Sequence, residues 1–227
     1  ACRDCVDRPG THDPMNVRGG TADIGEFATR LNVSRETFDQ LASYVALVEK
    51  WQPRVNLVSP SSLSKIWERH IWDSAQLVPL LGGARPEIMD IGSGAGFPGL
   101  VLAIMTGAPV RLVESDQKKS IFMQTVIREC GLDAQVVTAR VESLPPQPVD
   151  VITARALAPV DRLLNLLTRQ FDRPVRCLFL KGKSVHDELG CLEIRPDITW
   201  SLHPSLTNSE AFVLDLLVEP EKRCATP

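Results

Sequence analysis

Apolar residues near the start of the chain recur at the spacing of one helix face. They follow Ser34, a residue type that favours helix N-caps, and comprise Phe38, Leu41, Val45, Val48 and Trp51. This pattern predicts a helix that ends near Pro53, because proline cannot continue a helix. A second helix is predicted from Ser62 to about Leu81, between the turn SPSS and a pair of glycines. Residues 22–83 are therefore predicted to form an N-terminal helical segment that packs on the rest of the protein.

Beyond this segment, short apolar runs alternate with amphipathic stretches. The alternation predicts five strands, at 87–91, 110–114, 134–138, 149–153 and 176–181. It also predicts three helices, one that begins at Pro98 and two that span 118–130 and 159–171. Strands that alternate with helices favour right-handed crossovers and a mostly parallel, doubly wound sheet.

The end of the chain breaks the alternation. The runs ITWSLH (198–203) and AFVLDLLV (211–218) have only a loop between them, which predicts an antiparallel hairpin at the sheet edge. Such a hairpin is typical of class I methyltransferases that use S-adenosylmethionine (SAM), rather than of dinucleotide-binding folds. We therefore predict an α/β fold of that class: a doubly wound, mostly parallel seven-stranded sheet over residues 84–219, with N-terminal helices.

Composition limits the classes of protein that remain. The formal net charge is −3, and no apolar run approaches the roughly 20 residues that span a bilayer. The first residues lack the apolar stretch of a signal peptide, so we expect a cytoplasmic protein without membrane contact. We also expect a monomer. Residues 1–21, rich in Gly, Pro and Asp, are predicted to be a disordered leader, and residues 220–227 a C-terminal tail.

The cysteines give little indication of a metal site. Cys2 and Cys5 form one C-x-x-C pair, but the sequence holds no second such pair and no H-x-x-x-H pair. Reduced thiols and no bound metal are the expectation.

One glycine-rich stretch, DIGSGAGFPGL (90–100), indicates a ligand site but permits two interpretations. Counted from Gly94 it is G-x-G-x-x-G, the dinucleotide fingerprint; counted from Asp90 it is D-x-G-x-G-x-G. Glycines permit positive φ and a close approach of a ligand to the backbone, but they do not identify that ligand.

The acidic residues around the loop favour SAM. A pyrophosphate needs N–H donors and no nearby carboxylate, whereas the sulfonium and ammonium groups of SAM gain from Asp90 at the end of the first strand. Pro98 also removes one N–H donor near the helix start. Glu114, at the end of the second strand, is placed to accept hydrogen bonds from a ribose diol, which both NAD and SAM contain.

Several short motifs occur in one order along most of the chain, from about Phe38 to Val218. They are RHIWDS (69–74), DIGSGAGFPGL (90–100), KKSIFM (118–123), ARVES (139–143), TARAL (153–157) and LKGK (180–183). In this combination the sequence resembles the RsmG (GidB) family. The resemblance implies a class I SAM-dependent methyltransferase that methylates N7 of a guanosine in the 530 loop of bacterial 16S ribosomal RNA, with 16S ribosomal RNA or the small ribosomal subunit as its partner.

The resemblance also implies a chemistry and a set of site residues. Guanine N7 has a free lone pair and no proton, so methyl transfer needs alignment rather than a general base. The sequence TARA after the fourth strand, instead of N-P-P-Y, agrees with this. Arg155 is the predicted catalytic residue, beside the methyl group. The predicted cofactor-binding residues are Asp90, Gly92, Ser93, Gly94, Gly96, Phe97, Glu114, Val141, Glu142 and Arg155.

Three basic residues are predicted to contact the RNA: Arg140, Lys181 and Lys183. They lie in the stretch from Arg111 to Lys183, which carries 12 basic and 8 acidic residues although the whole chain is acidic. The sequence departs from the family at Ala211, a position where many members have an arginine. The RNA contact at that edge of the sheet is therefore expected to be weaker or differently built.

Other functions remain open at this point. A SAM methyltransferase could act on a small molecule or a protein, an NAD-dependent oxidoreductase could use His70 or His186 as its acid or base, and an RNA-binding assembly factor could lack catalysis. His70 and Asp73 lie three residues apart on one predicted helix face, and a structural role for them is preferred to acid–base chemistry.

Overall fold

The computed structural model describes residues 33–83, 85–167 and 173–219. A seven-stranded sheet, in the order β3-β2-β1-β4-β5-β7-β6, forms its centre. The strands are β1 (Ile88–Ile91), β2 (Val110–Glu114), β3 (Ala134–Thr138), β4 (Val151–Arg155), β5 (Val175–Gly182), β6 (Ile198–Pro204) and β7 (Ala211–Val218). The predicted leader and tail, and the first part of the N-terminal segment, lie outside the described residues.

The strand order places a topological switch between β1 and β4. The chain runs from β1 outward to β2 and β3, then returns to the other side of β1 as β4, and β1 to β5 are parallel. The strand β7 pairs antiparallel with both β5 and β6, which forms the predicted hairpin. The predicted fold class is confirmed, and ligands of such sheets bind at the carboxyl ends of the strands beside the switch.

Helices cover both faces of the sheet and define two cores. On one face lie α1 (Arg35–Trp51), α4 (Gly99–Thr106) and α5 (Gln117–Cys130). On the other face lie α6 (Val160–Leu167), α7 (Val185–Glu188) and α8 (Gly190–Glu193). No helix in these described ranges is long and apolar enough to cross a membrane.

The helix α1 forms as its pattern predicted. The Ser34 hydroxyl accepts a hydrogen bond from the Thr37 backbone N–H at 3.1 Å, which caps the first turn. The predicted apolar face is buried at Leu41, Val45 and Val48 and packs against α4 and α5. The N-terminal segment and the sheet domain therefore share one hydrophobic core.

The predicted single helix from Ser62 to Leu81 is wrong. That segment consists of α2 (Pro60–Leu63), a π-helical turn (Trp67–Trp72), α3 (Asp73–Ala75) and a 3₁₀ turn (Val78–Leu80). Its backbone hydrogen bonds change register: the Lys65 N–H donates three residues back to Ser62, and the Asp73 N–H donates five residues back to Glu68. Pro79 then has no N–H to donate.

Two strand boundaries also differ from the prediction in a way that matters for the site. The strand β4 begins later than predicted and runs to Arg155, so Arg155 is its last residue rather than the residue after it. The strand β5 is one residue longer than predicted at each end, so Lys181 is an internal residue of the strand rather than its last, and Lys183 follows the strand.

Candidate functional site

The glycine loop follows β1 and turns through three positive-φ residues. Gly92, Gly94 and Gly96 have φ angles of 63°, 58° and 95°. Ser93 fixes the turn: its backbone N–H donates to the Val113 carbonyl at 3.1 Å, and its hydroxyl donates to the Asp90 carbonyl at 2.9 Å. The loop is therefore held as a rigid backbone surface at the carboxyl ends of β1 and β2.

Glu114, at the end of β2, binds that loop directly. One carboxylate oxygen accepts a hydrogen bond from the Gly94 N–H at 2.8 Å, and the other accepts from the Asp116 N–H at 2.8 Å. An N–H of the loop that would face a pyrophosphate is thus already bound to a carboxylate. This arrangement suits a ligand that donates hydrogen bonds or carries positive charge better than a phosphate.

A cavity of about 330 Å³ opens above the loop, and we call it the loop cavity. Many of the predicted site residues line it: Gly92, Gly94, Glu114, Arg140, Val141, Glu142 and Arg155. Val141 is buried in its wall, within a short 3₁₀ turn after β3, whereas Arg140 and Glu142 are exposed at its rim.

Four predicted cofactor residues are not part of the cavity lining: Asp90 belongs to β1, and Ser93, Gly96 and Phe97 belong to the loop itself. Asp90 is fully buried, and one of its carboxylate oxygens accepts a hydrogen bond from the Thr153 hydroxyl at 2.8 Å. The other oxygen lies against Gly99, where an added Cβ would come within 2.9 Å of it. Burial raises the pKa of Asp90 to about 6.

A second cavity, of about 450 Å³, lies between the N-terminal segment and the carboxyl end of β5 and the start of β7. Its lining includes Ser62, His70, Asp73, Asn208 and Ala211, the residue that replaces the arginine of many family members. Only Arg155 and Ala156 belong to the described linings of both this second cavity and the loop cavity. Ala156 has a φ of 51°, a strained conformation for a residue with a Cβ.

Arg155 is held at this boundary by groups from both parts of the protein. Its guanidinium lies over the Phe97 ring at 5.0 Å, and one amino group donates to the Arg69 carbonyl at 3.2 Å. The same amino group lies 3.8 Å from the Asp73 carboxylate. With its side chain 19% exposed, Arg155 has restricted access to solvent and a fixed orientation between the cavities.

The side chains of His70 and Asp73 bind different partners rather than each other. The His70 Nε2 atom lies 2.9 Å from the Ser62 hydroxyl, and its ring stacks on Phe97 at 4.8 Å. Burial, with the positive charge of Arg155, lowers the pKa of His70 to about 3. His70 is therefore neutral near pH 7 and cannot act there as a protonated acid.

The two predicted RNA-contact lysines have different environments. The Lys181 ammonium is buried, lies 2.7 Å from the Glu188 carboxylate and donates to the Ala158 carbonyl at 2.9 Å. Lys183 is 77% exposed and lies 3.5 Å from the Glu210 carboxylate. Among the described residues, no group of three or more His, Cys, Asp or Glu side chains is arranged to hold a metal.

Sequence reasoning missed Tyr44, the only tyrosine of the chain. It lies on the buried face of α1, and its hydroxyl donates a hydrogen bond to the Ala95 carbonyl in the glycine loop. Its ring packs against that of Phe97, with 5.1 Å between the ring centroids. The available signal was its polar hydroxyl on an otherwise apolar helix face, since a buried tyrosine needs a partner for that group. Tyr44 thus supports the loop from the N-terminal segment.

Comparison with known proteins identifies the family of the chain. The model of the family "rRNA small subunit methyltransferase G" (GidB) matches residues 37–209. Ribosomal RNA small subunit methyltransferase G of Paramagnetospirillum magneticum is 46% identical over 191 residues, 84% of this chain and 93% of that protein. The protein of the same name from Rhodospirillum rubrum is 48% identical over 163 residues, 72% of this chain and 81% of that protein.

Solved structures support the fold at much lower sequence identity. A SAM-dependent methyltransferase from Aquifex aeolicus superposes with a TM-score of 0.55 at 18% identity, over 72% of this chain and 95% of that chain. The cofactor-bound Rv0187 from MTB has a TM-score of 0.64 at 15% identity, over 91% of this chain and 100% of that chain. Family membership also answers the question of the glycine loop, and the oxidoreductase hypothesis is wrong: this chain belongs to the rRNA small subunit methyltransferase G family, a family of SAM-dependent methyltransferases.

Proposed function

We propose that this protein, as a cytoplasmic monomer, transfers a methyl group from SAM to N7 of a guanosine in the 530 loop of bacterial 16S ribosomal RNA. The observation that carries the proposal is the shared wall of Arg155 and Ala156 between the loop cavity and the second cavity. A donor in the first cavity and an acceptor base in the second would meet at that wall. The family supplies the rRNA of the small subunit as the substrate class.

The residues of the loop cavity fit SAM as the methyl donor. Glu114, oriented by two backbone N–H groups, would accept hydrogen bonds from the ribose diol, and Gly92 and Gly94 would allow close contact with the backbone. Val141 and Glu142 would contact the adenine. Bound SAM would supply a methyl group on a sulfonium, a cation that the carboxylate of Asp90 favours from beneath the loop.

The polar groups at the acceptor side favour alignment over acid–base catalysis. Guanine N7 has no proton to remove, and the neutral His70, hydrogen-bonded to Ser62, has no part in a proton transfer there. Arg155 would hold the base by donating its planar fork to guanine O6 or to a neighbouring phosphate. The fixed guanidinium would align the acceptor without adopting a new conformation, which lowers the entropic cost of the reaction.

The N-terminal segment, residues 22–83, is part of this proposal because its residues line the second cavity opposite the methyltransferase domain, residues 84–219. Arg140 and Lys183, both exposed, would contact RNA phosphates near the cavities. Lys181 would contact a phosphate only in competition with Glu188, to which it is already paired.

The first experiment is calorimetric titration of the purified protein with SAM and, in parallel, with NAD. We expect micromolar SAM binding and no NAD binding. Transfer of a labelled methyl group is then measured on naked 16S RNA and on 30S particles, and the methylated nucleotide is mapped. Label in a small molecule or in protein, with none in RNA, would contradict the proposed substrate.

Substitution of Arg155 tests the shared wall itself. Arg155→Ala should leave SAM affinity within about threefold and lower the rate of methyl transfer roughly 100-fold, because several hydrogen bonds to the acceptor are lost. Arg155→Lys, which keeps the charge but loses the fork, is the matched variant and should recover only part of that rate. Unchanged transfer in Arg155→Ala would remove this residue from the acceptor site.

A further inference from the structure

The Asp73 carboxylate has one oxygen that accepts two hydrogen bonds and one that lies near Arg155. Its Oδ1 accepts hydrogen bonds from the Thr207 hydroxyl and the Gln76 amide, each at 2.9 Å. Its Oδ2 lies 3.8 Å from the nearest nitrogen of Arg155, too far for a hydrogen bond. Asp73 lines the second cavity with its side chain 17% exposed. A fixed acceptor is thus available to whatever enters that cavity.

Arg155 and Asp73 present their polar groups in a defined order. Arg155 lines both cavities, whereas Asp73 lines only the second. A group that approaches from the methyl donor would therefore meet the hydrogen-bond donors of Arg155 first and the acceptor of Asp73 next. The matching ligand edge must carry an acceptor nearest the methyl donor and a donor beside it.

The two purines differ in this order. From N7 around the six-membered ring, guanine presents the acceptor O6 and then the donor N1–H, whereas adenine presents the donor N6–H₂ and then the bare N1 acceptor. We propose that Asp73 is a specificity-determining residue of the acceptor site: its free oxygen accepts a hydrogen bond from guanine N1–H while Arg155 donates to O6. This inference rests on the proposed function and adds the residue that selects the base.

The environment of Asp73 makes such discrimination strong. A carboxylate oxygen that faces the N1 lone pair of adenine would lose water without gaining a hydrogen-bond donor, which costs more than the loss of a single neutral hydrogen bond. Sites built to bind a substrate N–H reject analogues that lack it by large factors. Thr207 and Gln76 hold the carboxylate in place, so it cannot turn away from the wrong base without breaking two hydrogen bonds.

The test compares two bases at one position of the RNA. The 16S RNA is assembled by ligation with either guanosine or 2,6-diaminopurine riboside at the nucleotide that the wild-type enzyme methylates, and kcat/KM is measured for both. The diaminopurine keeps N7 and the 2-amino group but replaces O6 by an amine and has no proton on N1. We expect the wild type to prefer guanosine by at least about 100-fold.

The near-isosteric variant Asp73→Asn should lower kcat/KM for guanosine by about 10- to 100-fold and reduce the guanosine preference by a similar factor, since an amide can donate to the bare N1. Asp73→Glu, which keeps the carboxylate, should retain more of the preference. A purely structural role would lower both activities equally. An unchanged preference in Asp73→Asn, with SAM binding intact, overturns the inference.

Two further outcomes are decisive. If Asp73→Asn loses SAM binding through misfolding, Thr207→Val takes its place, because it removes one of the hydrogen bonds that orient Asp73; we expect a several-fold lower preference, and no change would overturn the inference. If the wild type methylates neither RNA, the proposed function fails and this inference with it. Equal methylation of both bases by the wild type overturns this inference, including the contact from Arg155 to O6, and leaves the proposed methyl transfer standing.

Discussion

The loop cavity and the second cavity are built by different means. The loop cavity is built around the glycine loop that follows β1, with Gly92 and Gly94 in positive-φ conformations and Glu114 bound to the loop. The second cavity is formed by side chains from distant parts of the chain; Asp73 and Thr207, for example, are 134 residues apart. The first depends on local conformation and the second on tertiary packing.

This difference implies that the two cavities respond to different substitutions. In the loop cavity, an added side chain strains the backbone and fills ligand space, so the loss of cofactor binding is large and local. In the second cavity, the loss of one side chain leaves its partners in place but removes a specific contact. The boundary residue Arg155 belongs to both.

The largest effect is expected for Gly94→Val. Gly94 has a φ of 58° and lines the loop cavity, and the nearest described atom to an added Cβ is the Gly92 carbonyl oxygen at 3.9 Å. The side chain is therefore accommodated by the protein but strains the backbone and occupies ligand space. We expect SAM affinity to fall by more than about 100-fold, as measured by calorimetry, with about 1–2 kcal/mol of lost stability from the strain.

Gly131→Val is the matched control for that strain. Gly131 follows α5 with a φ of 64°, has nothing within 4 Å of an added Cβ, and lies outside the loop-cavity lining. It should lose similar stability in thermal unfolding and keep SAM affinity. Equal losses of SAM affinity in both variants would show that general destabilisation, and not the cavity surface, explains the result.

A smaller and opposite effect on stability is expected for Asp90→Asn. The pKa of Asp90 is about 6 in the folded protein, against 3.8 for the ordinary carboxyl, so the native state binds this proton more strongly than the unfolded chain does. The contribution of Asp90 to stability is therefore present below pH 3.8 and lost as the pH rises to about 6. At pH 8 the substitution should raise the free energy of unfolding by about 1–2 kcal/mol.

The measurement is urea unfolding of the wild type and Asp90→Asn from pH 4 to pH 8, together with calorimetry with SAM. The stability gain should shrink below pH 6 and be absent near pH 4, while SAM affinity at pH 8 falls about 10-fold because a favourable charge is lost. Higher stability with unchanged SAM affinity would mean that Asp90 does not influence the cation.

The same contrast explains how much the sequence could predict. The strands and the glycine loop depend on patterns within a few residues, so their positions follow from the sequence to within about two residues at most boundaries. The segment 62–81 has a helical pattern, but its hydrogen bonds change register, and His70 pairs with Ser62 across two turns. That arrangement depends on tertiary packing, which apolar periodicity does not encode.

Individual basic residues show the same limit. The sequence gives no reason to distinguish Lys181 from Lys183 as RNA contacts. In the structure, however, the ammonium of Lys181 is buried beside Glu188, whereas Lys183 is exposed after β5. The role of Tyr44 is not evident from the sequence because it lies in a contact with Ala95, 51 residues away. Sequence patterns therefore indicate which residue types surround a site, but not which of them are already paired.

The smallest effect is expected for Lys183→Ala, next in the chain to Gly182 of the second cavity. Lys183 is 77% exposed and 3.5 Å from Glu210, so it contributes little to folding and should leave the melting temperature unchanged. If it contacts an RNA phosphate, its loss should weaken RNA binding about two- to fivefold and lower the slope of log affinity against log salt by about 0.8. Glu210→Gln is the opposite control: without the competing carboxylate, Lys183 should bind RNA slightly more tightly. An unchanged salt dependence in Lys183→Ala would place the RNA path elsewhere and leave Arg140 as the exposed cation to test next, at the rim of the loop cavity.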